Sequence, residues 1–158
     1  MLPEEVTRLI GKAGDVAIME VEKGAIKKYA DAVDDFNPLY WDEEYARNSR
    51  YGSIIAPPGF FGWPTRWTGS MPAFPKLRDE VSAILTQAGY TRGLDGGIEY
   101  EFFCPVRAGD ILTALSRIID IYEREGKTGK VVFSVIETTY TNQNGDLVAK
   151  ARQTSIRR

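Results

Sequence analysis

Three apolar runs joined by two tight turns end this 158-residue chain and commit it to an antiparallel sheet. Ile111–Glu123 is rich in Ile, Leu and Tyr. Gly126-Lys127-Thr128-Gly129 turns it into Val131–Thr141, which is rich in β-branched residues. Asn142–Asp146 turns again, into Leu147–Ile156. Just upstream, Ile98, Tyr100, Phe102 and Cys104 alternate with Glu99 and Glu101, the pattern of a strand with one buried and one wet face. Pro105–Asp110 turns out of that strand, so the four runs predict a four-strand meander.

The N-terminal half reads as helices and loops. Ile26, Tyr29, Ala30 and Val33 form one stripe of an amphipathic helix over about Gly24–Val33. Val16–Val21 before it is short and apolar, a strand or a lead-in. Asn37-Pro38 breaks the helix, because the residue before proline disfavours helical backbone. Asp42 can cap a short helix from Glu43 to about Asn48. Leu77, Val81, Ile84, Leu85 and Ala88 mark a helix from Lys76 to Ala88 that stops at Gly89. A second candidate helix starts after Pro58, since proline suits a first turn. Helices followed by strands give an α+β class, and the length fits one domain over 1–158.

Composition removes whole classes of chemistry. The chain has no histidine, so triads and most zinc sites are unavailable to it alone. Lys plus Arg total 20 and Asp plus Glu total 22, for a net charge of -2, which argues against nucleic-acid binding through phosphates. Cys104 stands alone, so no intrachain disulfide forms, and its alternation with Phe102 reads as a small buried hydrophobe. Met1–Glu5 lacks the basic and apolar regions of a secretory signal, and no apolar stretch is long enough for a membrane span. A cytoplasmic protein with no membrane contact is expected. No metal is expected from the acids Asp31, Asp34, Asp35, Asp42, Glu43 and Glu44, which lack a binding-loop spacing and partly serve helix starts.

The informative segment is Asp35-Phe36-Asn37-Pro38-Leu39-Tyr40. It sets a carboxylate on a turn, an Asx residue before proline, and a phenol five residues on. From spacing alone, capping between two helices is favoured over catalysis. Asp35, Asn37, Pro38 and Leu39 match the Asp-x-Asn-Pro-Leu-His signature of the MaoC-like (R)-specific enoyl-CoA hydratases, which the chain resembles. Tyr45-Ala46, Ala56-Pro57-Pro58-Gly59 and Gly96–Asp110 resemble that family as well. The resemblance implies a hotdog fold, an antiparallel sheet wrapped around a central helix, with edge strands pairing across a dimer. It favours the helix near Pro58 as the central one, whereas periodicity favours Lys76–Ala88.

The family's histidine position is Tyr40 here. A phenol with a pKa of about 10 is roughly one part in a thousand ionised at pH 7, a poor general base. Loss of an acid–base group removes about 10²–10⁴-fold in rate. The resemblance therefore implies the histidine-less kind of hotdog subunit. Such a subunit holds an acyl-CoA or acyl carrier protein thioester, while a second hotdog chain, in a heterodimer or heterotetramer, supplies Asp and His. Asp35 and Tyr40 are the catalytic candidates of this chain. Two alternatives stay open: a self-contained hydratase or thioesterase, as a homodimer, using Asp35, and a non-catalytic acyl-CoA-binding protein.

No cofactor is implied, and Gly93–Gly97 lacks the Lys-Ser/Thr of a phosphate loop. By resemblance, Gly96 and Gly97 lie near the substrate cavity. Asn37 is a further substrate-binding candidate, as are the amides of Gly59 and Phe60, which would serve as oxyanion donors at the start of a central helix. Phe60 and Phe61 read first as core. Trp63 and Trp67 are candidates to line a wide acyl pocket suited to a bulky or cyclic group. Arg66, Arg92, Arg107, Lys150, Arg152, Arg157 and Arg158 are candidates for carrier phosphates, each individually better read as solvated surface.

Overall fold

The computed structural model describes residues 2–62, 67–68, 74–127 and 129–158. Helix α1 is Glu4–Thr7, strand β1 is Ala17–Glu20, and helices α2, α3 and α4 are Lys23–Ala32, Pro38–Trp41 and Glu43–Asn48. A single 3-10 turn, Phe60–Gly62, precedes the two-residue strand β2, Trp67–Thr68, and helix α5, Phe74–Gln87. Strands β3, Gly93–Phe102, β4, Ile111–Gly126, β5, Gly129–Thr141, and β6, Leu147–Arg157, complete the chain. All pairings are antiparallel, in the order β2-β1-β4-β5-β6-β3.

Alternation along the long strands makes one face of the sheet the core face. On β4, Leu112, Ala114, Ser116 and Ile118 are buried. A register shift between Ile118 and Asp120 then resets the phase so that Ile121 also points inward. On β5 the buried set is Val132, Ser134, Ile136, Thr138 and Tyr140. Leu77, Val81 and Leu85, spaced four apart, lay α5 against Ile118, Ile121, Val132 and Ile136, with Val6 of α1 closing the cluster. A second cluster, at the other end of the same face, packs Ile26 and Ala30 of α2, Tyr40, Ala46, Phe60 and Phe61 on Met19, Leu112, Tyr140 and Val148. Between them, the Ser116 and Thr138 hydroxyls hydrogen-bond to each other at 2.8 Å, which satisfies both without water.

The periodic helix is the one that lies on the sheet: α5 packs on β4, β5 and β6. The helix expected after Pro58 is only the Phe60–Gly62 turn. The short apolar run before α2 is a strand, pairing with β4.

Two further expectations are corrected. The meander holds for β4, β5 and β6, but β3 pairs with β6 rather than β4. The Phe103–Asp110 connection therefore crosses the end of the sheet instead of folding back as a hairpin. Strand β3 also begins at Gly93, so Gly96 and Gly97 sit inside it, at a bulge between Asp95 and Ile98. Gly97 has φ +98° and its amide donates to Asp95 Oδ1 at 2.8 Å.

The apolar face expected for β3 is covered only in part: Tyr100, and Cys104 just beyond the strand, pack against the second cluster, and the rest of the face is open. Ile98 and Phe102 are 46% and 48% exposed, as Leu94 is at 49%. As the end strand in this order, β3 also presents a row of unpaired backbone groups along its free edge.

A Cβ on Gly96 would sit 2.8 Å from Thr154 Cγ2 and 2.9 Å from its backbone oxygen. Gly96→Ala is expected to destabilise the fold by about 1–3 kcal/mol, read as a lower urea midpoint at constant slope; an unchanged midpoint would show that β3 and β6 separate freely there.

Candidate functional site

The turn between α2 and α3 is built from its own side chains. Asp34, at φ +57°, ends α2: its amide donates to Asp31 O at 3.1 Å and the Asp35 amide to Ala30 O at 2.9 Å. That pair of bonds is a Schellman closure, with Asp where glycine is usual. Asp35 Oδ1 accepts the Asn37 amide at 3.1 Å, and Asn37 Oδ1 accepts the Leu39 amide at 3.1 Å, capping α3 ahead of Pro38. The Trp41 indole nitrogen donates to Asp35 O at 3.0 Å, pinning the turn from outside. Asp42 then caps α4 through the Glu44 and Tyr45 amides, as its position predicts.

This turn delivers Tyr40 inward, 7% exposed, to the wall of a cleft of about 680 Å³. Asn37, Tyr40, Arg50 and Tyr51 form its polar side; Pro57, Pro58, Phe61, Phe102 and Phe103 form its apolar side. Phe61 sits 4.5 Å from the Tyr140 ring and about 6 Å from Tyr100 and Phe102, so the apolar wall is backed by an aromatic stack.

The electrostatics of the cleft are one-sided. Burial pushes the Tyr40 phenol above its ordinary value, and the charges of Asp35 and Tyr51 push it further. Burial likewise pushes up the Cys104 thiol, with Asp146 and Asp110 adding to it. Both groups stay protonated near neutrality. Among the described residues, the cleft's lining includes no carboxylate, and the chain has no imidazole. The arrangement offers hydrogen-bond donors and an apolar wall, and no base.

The sequence-derived candidates divide accordingly. Asn37 and Tyr40 line the cleft. Asp35 lies outside the lining and acts on it through Tyr40; its Oδ1 is occupied by the Asn37 amide. Gly59, at φ +87°, follows the lining residue Pro58, and a Cβ there would meet the Tyr29 hydroxyl at 2.7 Å. Phe60 is fully buried and its amide donates to Pro57 O at 3.2 Å, which removes it as a free oxyanion donor. Gly96 and Gly97 shape the β3 bulge and do not line the cleft.

Trp63 and Arg66 lie outside the described residues. Trp67 is described only through its backbone, paired with Met19. Of the basic candidates, Arg152 is paired with Glu137 and Glu101, and Arg157 donates to Ser82 and Thr91. Tyr51 and Arg50 are cleft residues that the sequence analysis missed; a Tyr beside an Arg after a short helix has no distinctive spacing. Cys104 is half-buried, with its thiol donating to Leu147 O at 3.4 Å. Among the described residues no acidic cluster could hold a metal, and no helix is long and apolar enough to cross a membrane.

A family model described as FAS1-like, dehydratase domain region, matches residues 8–151. The chain is 28% identical over 137 residues to a probable enoyl-CoA hydratase alpha subunit of Thermomonospora curvata, covering 84% of this chain and spanning 43% of that protein's length. In fold it is similar to a chain of the ChsH1–ChsH2 complex of Mycobacterium tuberculosis, with a TM-score of 0.82 at 18% identity over 97% of this chain and 88% of that one. It is also similar to a chain of the HadBC (3R-hydroxyacyl-ACP dehydratase) complex of the same organism, with a TM-score of 0.63 at 24% identity over 94% and 96%. With the family model spanning nearly all of it and a curled antiparallel sheet packed on a helix, the chain belongs to the FAS1-like dehydratase-domain family, MaoC-like proteins of hotdog fold.

Proposed function

We propose that this chain is the acyl-thioester-binding subunit of an (R)-specific enoyl-CoA hydratase, or of the reverse 3-hydroxyacyl dehydratase, and that a second hotdog chain supplies the catalytic Asp and His. The observation that carries this reading is a cleft furnished for binding and lacking a base. Hydration adds a hydroxyl at C3 of the enoyl thioester and a proton at C2, so some group must take a proton from water and some group must return one. Tyr40 can donate a hydrogen bond to a thioester oxygen. It cannot accept a water proton at neutral pH, because its phenol is held above its usual range.

Strand β3 gives the partner a place to bind. Its open edge and its exposed Leu94, Ile98 and Phe102 suit pairing with the edge strand of another hotdog sheet. The two solved structures similar to this chain, ChsH1–ChsH2 and HadBC, are by name complexes. A single unpaired cysteine fits a reducing cytoplasm.

The purified chain alone is expected to give no hydration of crotonyl-CoA above background, and to support it once a histidine-bearing hotdog partner is added. Robust turnover by the lone chain, abolished by Asp35→Ala, would overturn the partner requirement.

The phenols offer a second check. Burial raises Tyr40, Tyr100 and Tyr140 above the ordinary value of 10.0, Tyr140 most of all. A raised folded-state pKa means the fold holds the proton more tightly than the unfolded chain does. That contribution to stability is complete below pH about 10 and is lost as pH climbs from there toward the raised values. Tyrosinate absorbance should show a class of phenols titrating only as the protein unfolds in alkali, and Tyr140→Phe should soften the alkaline loss of stability. A Tyr40 phenol ionising below pH 8 in the folded chain would return it to the list of bases.

A further inference from the structure

The polar side of the cleft presents hydrogen-bond donors with no ligand to meet them. Tyr40 is 7% exposed, and its hydroxyl bonds to nothing among the described residues. Ser53 Oγ is, among those residues, the one buried side-chain oxygen or nitrogen both unpaired and sealed from solvent, so the Tyr40 oxygen still opens on the cleft it lines. Tyr51 stands in the same lining, near enough for its charge to push up the Tyr40 phenol. Arg50 Nη2 donates to the Tyr51 hydroxyl at 2.6 Å, and its guanidinium lies 4.8 Å from the centre of that ring. A guanidinium only donates, so the Tyr51 oxygen receives that bond on a lone pair and its own proton must point elsewhere. Arg107 fixes the other end of the residue, donating through Nε to the Tyr51 carbonyl at 3.2 Å. Asn37 has its side-chain oxygen committed to the Leu39 amide at 3.1 Å, which leaves its side-chain nitrogen, a donor, for a ligand.

An acyl group made of hydrocarbon alone fits this wall poorly. Filling the cleft with it would strip water from the Tyr40 and Tyr51 hydroxyls and return no acceptor, which leaves buried donors unpaired. The thioester carbonyl does not account for the wall either. One carbonyl oxygen has two lone pairs, and Tyr40, Tyr51 and the Asn37 amide together present more protons than it can accept. A second acceptor oxygen is required. Its charge is set by the neighbourhood: Asp35 already pushes the Tyr40 phenol up, and a carboxylate brought to the same hydroxyl would meet that negative charge. An uncharged carbonyl meets the two phenols without that opposition, while Pro57, Phe61 and Phe103 on the apolar side pack its carbon skeleton.

We propose that the cleft selects acyl groups that carry a ketone away from the thioester, with the Tyr40 and Tyr51 hydroxyls donating to the ketone oxygen and Arg50 as the positioning residue that turns the Tyr51 proton toward it. The inference rests on the reading of this cleft as the acyl-thioester site and adds the class of acyl group it takes. A site built around hydrogen bonds discriminates strongly against the analogue that lacks the oxygen, because its own buried groups are then left unpaired.

The test is calorimetric titration of the purified chain with octanoyl-CoA, with a series of oxo-octanoyl-CoA thioesters in which the ketone moves along the chain, and with suberoyl-CoA, which ends in a carboxylate. These acyl chains are saturated, so binding is read without hydration. At least one ketone position is expected to bind about tenfold or more tighter than octanoyl-CoA, and tighter than suberoyl-CoA. Tyr40→Phe and Tyr51→Phe should each remove the ketone preference and tighten octanoyl-CoA, since each deletes a hydroxyl that hydrocarbon leaves unpaired. Arg50→Ala should shrink the preference by releasing the Tyr51 hydroxyl. The readout is the ratio of ketone to hydrocarbon affinity, because a merely structural loss lowers both alike. If Tyr40→Phe does not fold, Tyr51→Phe, at a half-buried position, carries the test. Equal affinity for octanoyl-CoA and every ketone isomer, a preference for suberoyl-CoA over all of them, or a ketone preference that survives the phenylalanine substitutions would overturn this inference and leave the acyl-thioester reading standing. Failure of every thioester, octanoyl-CoA included, to bind would overturn both.

Discussion

Burial of the Tyr40 phenol beside the Asp35 carboxylate sets the terms for what the cleft can do. A phenolate in a partly desolvated wall is costly, and a neighbouring negative charge makes it costlier. The hydroxyl therefore stays a donor. The same turn that delivers Tyr40 also commits Asp35, whose Oδ1 accepts the Asn37 amide and whose carbonyl accepts the Trp41 indole. A frame suited to holding two cooperating groups holds one neutral donor and one carboxylate used in the turn itself. Under the proposed function this frame serves binding, and proton exchange falls to the second chain.

The sheet provides the complementary half of the argument. Its core face is closed by two helical clusters separated by the Ser116–Thr138 hydroxyl pair, and of β3 they cover only the stretch around Tyr100. That strand keeps its bulge at Gly96-Gly97, its alternating Glu99 and Glu101, and its exposed Ile98 and Phe102. Phe102 lines the cleft from this strand, so the cleft lies next to the open edge. A partner sheet docked there would bring its own groups close to the bound thioester, which links the incomplete chemistry to the incomplete surface.

Much of this was legible in the sequence, for local reasons. The α5 stripe at Leu77, Val81 and Leu85, the Asp42 cap and the β4–β5–β6 turns are all set by neighbours in sequence, and each formed as its pattern implies. The Asp35–Tyr40 frame was readable because its hydrogen bonds span two to five residues. What depended on distant residues was not. Alternation in Ile98–Cys104 marks an apolar face and says nothing about whether this chain or another covers it. Strand β3 paired with β6 because the Phe103–Asp110 connection crosses the sheet end, a choice no turn residue announces. The helix expected at Pro58 shrank to one turn, with the Phe60 amide closed onto Pro57. Arg107 comes from a separate segment and meets the neighbours Arg50 and Tyr51 only in three dimensions.

The central claim, that the proton-transfer groups belong to another polypeptide, is tested most directly inside an active complex of this chain with a histidine-bearing hotdog partner. The measurement is kcat for crotonyl-CoA hydration with Asp35→Asn in this chain, compared with loss of the partner's histidine. The account predicts a change of less than about twofold for Asp35→Asn and a loss of about 10²–10⁴ for the partner's histidine. A fall of 10² or more on Asp35→Asn, with the complex intact, would contradict it.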